Sequence, residues 1–303
     1  MSWLRRAWDH DLAWSFRHSP VALAAAVLTA LCLGGALFAP WIAPHNPFDS
    51  ATLNLSDGFT PPAWSEKGTT KYLLGTDDQG RDVLSTILYG ARISLGVGLA
   101  AVLFSALLGV SLGLVSGYLG GRLDAFIMRV ADIQLSFPAI LVALLIDGVA
   151  RIALPRELHD ALAVYVLVLA IGLSGWVQYA RTVRGSTLVE KGREYVQAAR
   201  VIGRHPLAIM LHHVLPNVMG PVLVIATIHV ATAIITEATL SFLGVGVPPT
   251  QPSLGTLIRI GNDFLFSGEW WIALFPGAAL VVLVLAVNLL GDWLRDALNP
   301  RLR

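Results

Sequence analysis

Charged residues are scarce in this sequence. Only 14% of its 303 residues are Asp, Glu, Lys or Arg, whereas a soluble domain carries about 25%. Hydrophobic residues make up 55%, and the mean hydropathy is +0.67. The formal net charge is +1 and no basic stripe alternates with aromatic residues, so nothing points to nucleic acid as a partner. This composition is typical of a protein that crosses a lipid bilayer several times.

Residues for covalent and metal chemistry are also rare. The single cysteine, Cys32, excludes an intrachain disulfide and a cysteine metal cluster. The eight histidines show no metal-ligand spacing, and the sequence has neither a His-Glu dipeptide nor a Gly-Lys dipeptide. A zinc-protease motif and a Walker A phosphate loop are therefore both missing. If the protein moves a solute uphill, the energy must come from a partner or an ion gradient.

Long apolar runs dominate the chain. A spanning helix requires about 20 mostly apolar residues. Six runs meet that length, at residues 20–42, 93–115, 125–146, 161–180, 218–243 and 270–290. The predicted fold class is therefore all-α, a polytopic membrane helical bundle with six transmembrane helices.

Loop charges predict the orientation, because Lys and Arg accumulate on the cytoplasmic side. With the N-terminus inside, 13 loop Lys and Arg lie inside and six lie outside, so both termini are predicted to be cytoplasmic. The predicted organisation begins with a cytoplasmic interfacial N-terminus at residues 1–19 and a first transmembrane helix at 20–42. An extracytoplasmic loop with a surface helix follows at 43–92. The core of five transmembrane helices spans 93–303 and includes a cytoplasmic loop at 181–217.

The extracytoplasmic loop carries a helix-start signal. Thr76 can cap a helix, and Gln79 three residues later completes a capping box. An apolar stripe follows at residues 83–88. The pattern predicts a short helix along the membrane surface, separate from the second span.

Two spans contain ionisable residues, which are functional candidates inside a membrane. The third span holds Arg129 and Asp132 at a spacing that allows an ion pair, and Pro138 is expected to kink it. The fifth span holds Glu237 near its outer end. In the second span, Gly109 and Gly113 form a Gly-x-x-x-Gly pair that predicts close helix packing.

The loop 181–217 is predicted to contain two helices. The segment 194–202 has helix-forming composition, Gly203 breaks it, and Pro206 suits the first turn of a second helix. Apolar residues then recur at helical spacing until Pro216 ends the helix. A hydrophobic stripe on a cytoplasmic loop requires a cover, from the bundle itself or from another protein. The stripe consists of Leu207, Met210, Leu211 and Val214.

This loop resembles the EAA loop of importer-type ABC permeases, with Gln197 in place of the expected Glu and His213 in place of Ile. The matching positions are Ala198, Ala199, Gly203, Leu215 and Pro216. Three further stretches, at 75–95, 237–249 and 288–303, resemble the C-type permease subunit of dipeptide and oligopeptide importers. The chain is thus similar to that family over nearly its whole length.

The resemblance implies a type I ABC importer permease in the bacterial inner membrane. Its partners would be a homologous second permease, two ATPase subunits that use ATP and Mg, and an extracytoplasmic solute-binding protein. The chain itself would be no enzyme, and its cargo would be peptides. The residues expected to couple to the ATPases are Gln197, Ala198, Ala199, Gly203, Leu207, Met210, Leu211, Leu215 and Pro216.

The ionisable and helix-kinking residues of the spans supply candidates for the path, and the family likeness implies that the outer loop contacts the binding protein. Candidates for the translocation path or its gating are Glu237, Asp132 and Pro138. Candidates for contact with the binding protein are Asp77, Arg81 and Asp82.

Two other functions stay open at the sequence level. Ser174 lies in a Gly-x-Ser-Gly segment of the fourth span and His229 lies in the fifth, as in the dyad of an intramembrane serine protease. A stand-alone carrier driven by an ion gradient is the other alternative, supported by Glu237 and the pair Arg129 and Asp132.

Overall fold

A computed structural model describes residues 16–49 and 53–298, and this part of the chain is helical with no β-strand. Most of the predicted interfacial segment 1–19 and the last five residues lie outside the described part. We number the α-helices in chain order. They are α1 (Pro20–Leu37), α2 (Ala39–Ile42), α3 (Val83–Leu119), α4 (Gly121–Leu135), α5 (Ala139–Ala153), α6 (Arg156–Glu190), α7 (Glu194–Val201), α8 (Pro206–Ile209), α9 (Leu215–Phe242), α10 (Leu254–Phe264) and α11 (Trp271–Leu298).

Five stretches are long and apolar enough to span a membrane: α1, α3, most of α6, the continuous stretch α8–α9, and α11. The pair α4 and α5 passes the same test only when taken together, and it bends by 96° at the break. Pro138 lies at this break and begins α5 as its N-cap, because proline cannot donate the backbone hydrogen bond of a continuous helix. The predicted kink at Pro138 is therefore present, as a break in the helix.

The long helices α3 and α6 pack closely through small residues on α3. A Cβ atom added to Gly113 would lie 2.6 Å from the carbonyl oxygen of Ala180, and one added to Gly117 would lie 2.8 Å from Cβ of Thr187. Gly109 is in similar contact with Trp176 and Tyr179. The predicted close packing of the second span is confirmed, and its partner is the fourth span.

The predicted surface helix before the second span is absent from the described residues, because α3 begins at Val83 and continues to Leu119. Its N-cap is Asp82, whose side chain accepts from the backbone N–H of Ser85 at 2.9 Å. Thr76 does not cap a helix and instead forms an isolated bridge with Asp82. The capping-box prediction at Thr76 and Gln79 was therefore wrong.

Two other predicted boundaries also move. Helix α6 continues ten residues beyond the predicted end at residue 180. Pro216 does not end a helix, because α8 continues through a π-helical turn at Met210–Val214 into α9. In this turn Leu215 donates to the carbonyl of Met210, five residues back, and the extra residue accommodates the proline without breaking the helix.

The two ends of the bundle can be told apart by their contacts. At the end that carries the segment 181–217, here called the basic end, Lys191 donates to the carbonyl of Gly117 at 2.9 Å. At the opposite end the indole of Trp271 donates to the carbonyl of Thr76 at 3.0 Å. Phe16 packs edge-on against Trp293, so the first described residues lie beside the last helix at the basic end.

Candidate coupling surface and membrane cleft

Helix α7 is anchored to the bundle at the basic end. Its side chains Val196 and Ala199 are buried in a cluster that includes Tyr118 of α3 and Tyr179 of α6. Arg200 donates from Nε to the hydroxyl of Tyr118 at 3.3 Å and lies over its ring. A force on α7 would therefore be transmitted directly to the ends of α3 and α6.

The turn after α7 forms a defined helix stop. Gly203 has a φ of 76°, a left-handed conformation that favours glycine. Its N–H donates to the carbonyl of Arg200, and the N–H of Arg204 donates to Ala199, both at 3.0 Å. This pair of hydrogen bonds is a Schellman motif, which fixes the angle at which the chain leaves the helix. The glycine break predicted at Gly203 is thus present.

An apolar surface is exposed around this turn. Val201 is 87% exposed and Ile202 is 74% exposed, and Leu207 and Leu211 are about half exposed. We call these four residues the coupling surface. Exposed apolar side chains in contiguous positions are typical of a surface that another protein or the membrane covers.

The predicted stripe is divided between two environments. Leu207 and Leu211 are exposed, but Met210 and Val214 are buried in the bundle's own core. Helical spacing predicted that all four residues lie on one face. In the structure α8 and the π-helical turn pack against α7 and α9, and this packing buries Met210 and Val214. Val201 and Ile202 did not belong to the predicted stripe, although both precede the glycine break in the sequence.

The other predicted coupling residues surround this surface. Ala199 is buried and Leu215 is partly buried, so they support the surface from within. Gln197 donates from Nε2 to the carbonyl of Lys191 at 3.0 Å, a contact that holds the start of the loop. The remaining predicted residues that are exposed are Ala198, Gly203 and Pro216.

At the opposite end, the residues predicted to contact a binding protein are buried. The side chains of Asp77 and Arg81 are each only 4% exposed, and they form an ion pair at 2.6 Å. Asp77 also accepts from the backbone N–H of Gln79 and of Arg81, both at 2.9 Å, while Asp82 caps α3. Because all three are buried, they shape the loop and do not offer side chains to a partner in this conformation.

Glu237 is completely buried near the end of α9. Ser241, one turn later, donates to its Oε1 at 2.7 Å, and Oε2 has no hydrogen-bond partner within the described part of the chain. A carboxyl without exposed surface cannot contact a passing solute in this conformation. The residue was predicted as a path candidate, and the structure places it at a helix contact instead.

Asp132 forms an ion pair with Arg181 of α6, not with Arg129 on its own helix as predicted from the spacing. Nearby, Arg184 of α6 donates to both oxygens of Asp124 at 2.5 and 2.6 Å. Both pairs join α4 to α6. The predicted ion pair of the third span is therefore a tertiary contact between helices, which sequence spacing alone cannot indicate.

A cleft of about 260 Å³ lies between α6 and α9 within the apolar part of the bundle. Half of the residues that line it are polar. The polar lining residues are Ser174, Gln178, His229, Thr232 and Thr236. Except for Ser174 and His229, these residues were missed by the sequence prediction, because threonine and glutamine in an apolar run carry no distinctive signal.

Ser174 and His229, the proposed protease pair, both line this cleft, but each forms its hydrogen bond with another group. Ser174 donates to the carbonyl of Ala170 at 2.8 Å, the usual bond of a serine to its own helix. His229 is bonded through Nδ1 to the hydroxyl of Tyr179 at 3.1 Å. A serine nucleophile requires a hydrogen bond to its base, so this geometry does not favour the protease.

Among the residues that the structure describes, no three His, Cys, Asp or Glu side chains come together as a metal site would require.

Comparison with known proteins agrees with these features. Residues 109–303 match the family model described as binding-protein-dependent transport system inner membrane component, and residues 2–62 match that of the N-terminal TM domain of oligopeptide transport permease C. Two relatives are the di/tripeptide transport system permease DppC of Pseudomonas aeruginosa, 39% identical, and the dipeptide transport system permease DppC of Escherichia coli K12, 41% identical. Each alignment covers 95% of this chain and 91% of the relative.

A third relative, the oligopeptide transport system permease OppC of Bacillus subtilis, is 36% identical over 97% of this chain and 90% of its own length. Two solved structures of the inward-facing MetNI methionine ABC transporter align with TM-scores of 0.54 and 0.55. Their sequences are 18% and 20% identical to this chain. Each alignment covers 71% of this chain and 96% of the solved permease chain. This likeness establishes the fold as that of an ABC importer permease.

Proposed function

The chain belongs to the family of binding-protein-dependent transport system inner membrane components, and on that premise we propose that it is one of two membrane-spanning subunits of an ATP-driven peptide importer. The relatives named for dipeptide and oligopeptide transport support this class of cargo. Two separate ABC ATPase subunits would use ATP and Mg, a second permease would complete the path, and a binding protein would deliver the peptide. The chain itself would catalyse no reaction.

The observation that carries this proposal is the coupling surface at the basic end. Val201 and Ile202 are exposed on a turn that is itself fixed by buried neighbours and by the glycine stop. An ATPase that covers this surface would displace α7 when its subunits close. Arg200 and Lys191 would pass that displacement to Tyr118 and Gly117 at the end of α3.

The proposed orientation places the basic end in the cytoplasm, where the ATPases are. The excess of Lys and Arg in the segments at this end supports it. The opposite end, with residues 75–89 and 244–268, would then face the binding protein.

A charge on the coupling surface tests the proposal. We expect Ile202→Glu to lower co-purification of the ATPase subunits and peptide uptake by about tenfold or more, because a buried unpaired carboxylate costs several kcal/mol at an interface. The matched control for ATPase co-purification is Leu55→Glu, since Leu55 is 76% exposed at the opposite end and Ile202 is 74% exposed. Normal ATPase co-purification with the Ile202 variant would refute the coupling role.

We further propose that the cleft between α6 and α9 lies on the translocation path, because its polar groups could hydrogen-bond a peptide at membrane depth. Thr232→Trp should fill the cleft and abolish uptake while ATPase co-purification stays normal. Ile235 is also exposed on α9 but lies outside the cleft, so Ile235→Trp is the control. Uptake at the wild-type rate in the Thr232 variant would exclude the cleft from the path.

A further inference from the structure

A groove at the opposite end of the bundle has no role in the function described so far. It lies between the first turns of α3, the start of α6 and the loop that precedes α10, and it encloses about 630 Å³. This volume is in the range of sites that bind small ligands, roughly 300–1,000 Å³. The lining residues that concern us are Phe48, Tyr89, Arg92, Val164, Thr250 and Gln251.

Among the described residues that line the groove, Arg92 is the only charged one. Its side chain is exposed, and within residues 16–49 and 53–298 it has neither an ion pair nor a hydrogen bond. By contrast, Arg81, Arg181 and Arg184 each pair with an aspartate. Arg92 also directly precedes the apolar run 93–115, and the described residues that line the groove with it include no carboxylate. This placement favours a site that an anion completes.

The other walls of the groove suit a small peptide. Phe48 and Tyr89 contact each other edge to face, with ring centroids 5.3 Å apart, and present an aromatic wall. Thr250 and Gln251 are exposed on the facing loop, and their hydroxyl and amide groups can bond a peptide backbone. An arginine fork binds a carboxylate through two parallel hydrogen bonds.

We propose that this groove binds the C-terminal carboxylate of an unmodified peptide, with Arg92 as the carboxylate-binding residue. The proposal rests on the proposed function, because it takes a peptide as the cargo and the opposite end as the side of entry. The phosphate of a lipid headgroup offers the same oxyanion chemistry, and the experiment separates the two sources.

The test measures equilibrium binding by saturation-transfer NMR. The sample is the complete importer without its binding protein, in nanodiscs of zwitterionic lipid, and the probes are trialanine and trialanine amide. We expect trialanine to bind about tenfold more tightly than its amide, the difference that a lost charge-assisted bond produces. Arg92→Gln should remove this preference, and Arg92→Lys should retain part of it.

The control is Arg259→Gln, because Arg259 is exposed at the same end but lines a neighbouring cavity. The Arg259→Gln variant should still bind trialanine more tightly than its amide. If it does not, the difference reflects a general effect of charge, and the proposal is overturned. Equal binding of the two probes by the wild type would also overturn it. If the two probes bind equally and, in a second sample whose nanodiscs also contain an anionic phospholipid, that lipid is enriched around the wild type but not around Arg92→Gln, the groove holds a lipid phosphate.

Failure of the proposed function would be visible separately. ATP-dependent peptide uptake by the wild-type importer with its binding protein tests that function and does not depend on the groove. Normal uptake together with equal binding of trialanine and its amide would refute the groove proposal alone.

Discussion

At the scale of single residues, two carboxylates in the loop between α2 and α3 have opposite environments. Asp57 accepts from Lys71 at 2.8 Å and from Tyr72 at 2.7 Å, and these bonds lower its pKa. Burial, and then the neighbouring carboxylate of Asp77, raise the pKa of Asp78. Oδ1 of Asp78 is buried and has no hydrogen-bond partner in the described part of the chain.

The two residues should therefore affect stability with opposite signs. The lowered pKa of Asp57 stabilises the fold above its unfolded pKa, near the ordinary value of 3.8, and this contribution is lost as the pH falls through the folded pKa. The raised pKa of Asp78 favours the neutral acid, so its contribution is present below the unfolded pKa and is lost as the pH rises through the folded pKa. At neutral pH Asp57 stabilises the loop and Asp78 destabilises it.

We predict that Asp57→Asn lowers the melting temperature at neutral pH and that Asp78→Asn raises it. As the pH falls, the difference for Asp78 should shrink first, because its pKa is raised, and the difference for Asp57 should shrink only below pH 3.8, because its folded pKa is lowered. Thermal melting of the purified protein in detergent over this pH range checks the prediction. A shift of the same sign for both variants at neutral pH would contradict the assigned environments.

At the scale of the helices, close contact between α3 and α6 is the main packing feature. Gly113 faces the backbone of Ala180, whereas Gly96 on the same helix has no atom within 4 Å of an added Cβ. Backbone cannot move aside as a flexible side chain can. A methyl group at position 113 must therefore separate the two helices, and one at position 96 need not.

We predict that Gly113→Ala destabilises the bundle by about 1–3 kcal/mol, the usual cost of overpacking a core. Gly96→Ala should leave stability unchanged or raise it slightly, because alanine has the higher helix propensity. Thermal unfolding in detergent, followed by size-exclusion chromatography, measures both. If the two variants have the same melting temperature, the contact between α3 and α6 is not as close as described.

At the scale of the whole molecule, the two ends of the bundle should lie on opposite sides of the membrane. In a Cys32→Ser background, we expect Leu55→Cys to react with a membrane-impermeant maleimide from outside. Ile202→Cys should react only in inside-out vesicles without the ATPases. Both sites are strongly exposed in the isolated chain. The reverse labelling pattern would invert the proposed orientation.

Sequence patterns predicted the features that depend on local chemistry. Six apolar runs predicted the bundle, because a lipid interior forces the backbone into helices whose bonds are satisfied internally. The helix break at Gly203 and the kink at Pro138 were also predicted, since both follow from the backbone limits of a single residue. The family was recognisable from motifs whose order along the chain is fixed.

Features that depend on distant residues were decided by tertiary structure. Asp132 pairs with Arg181 and not with Arg129, and the predicted apolar stripe is divided between the core and the surface. Asp77 and Arg81 are buried together although both are polar. In each case the decisive partner lies on another element, at a sequence distance over which helical spacing carries no information. Burial and pairing are properties of the packed bundle, so only the fold assigns them.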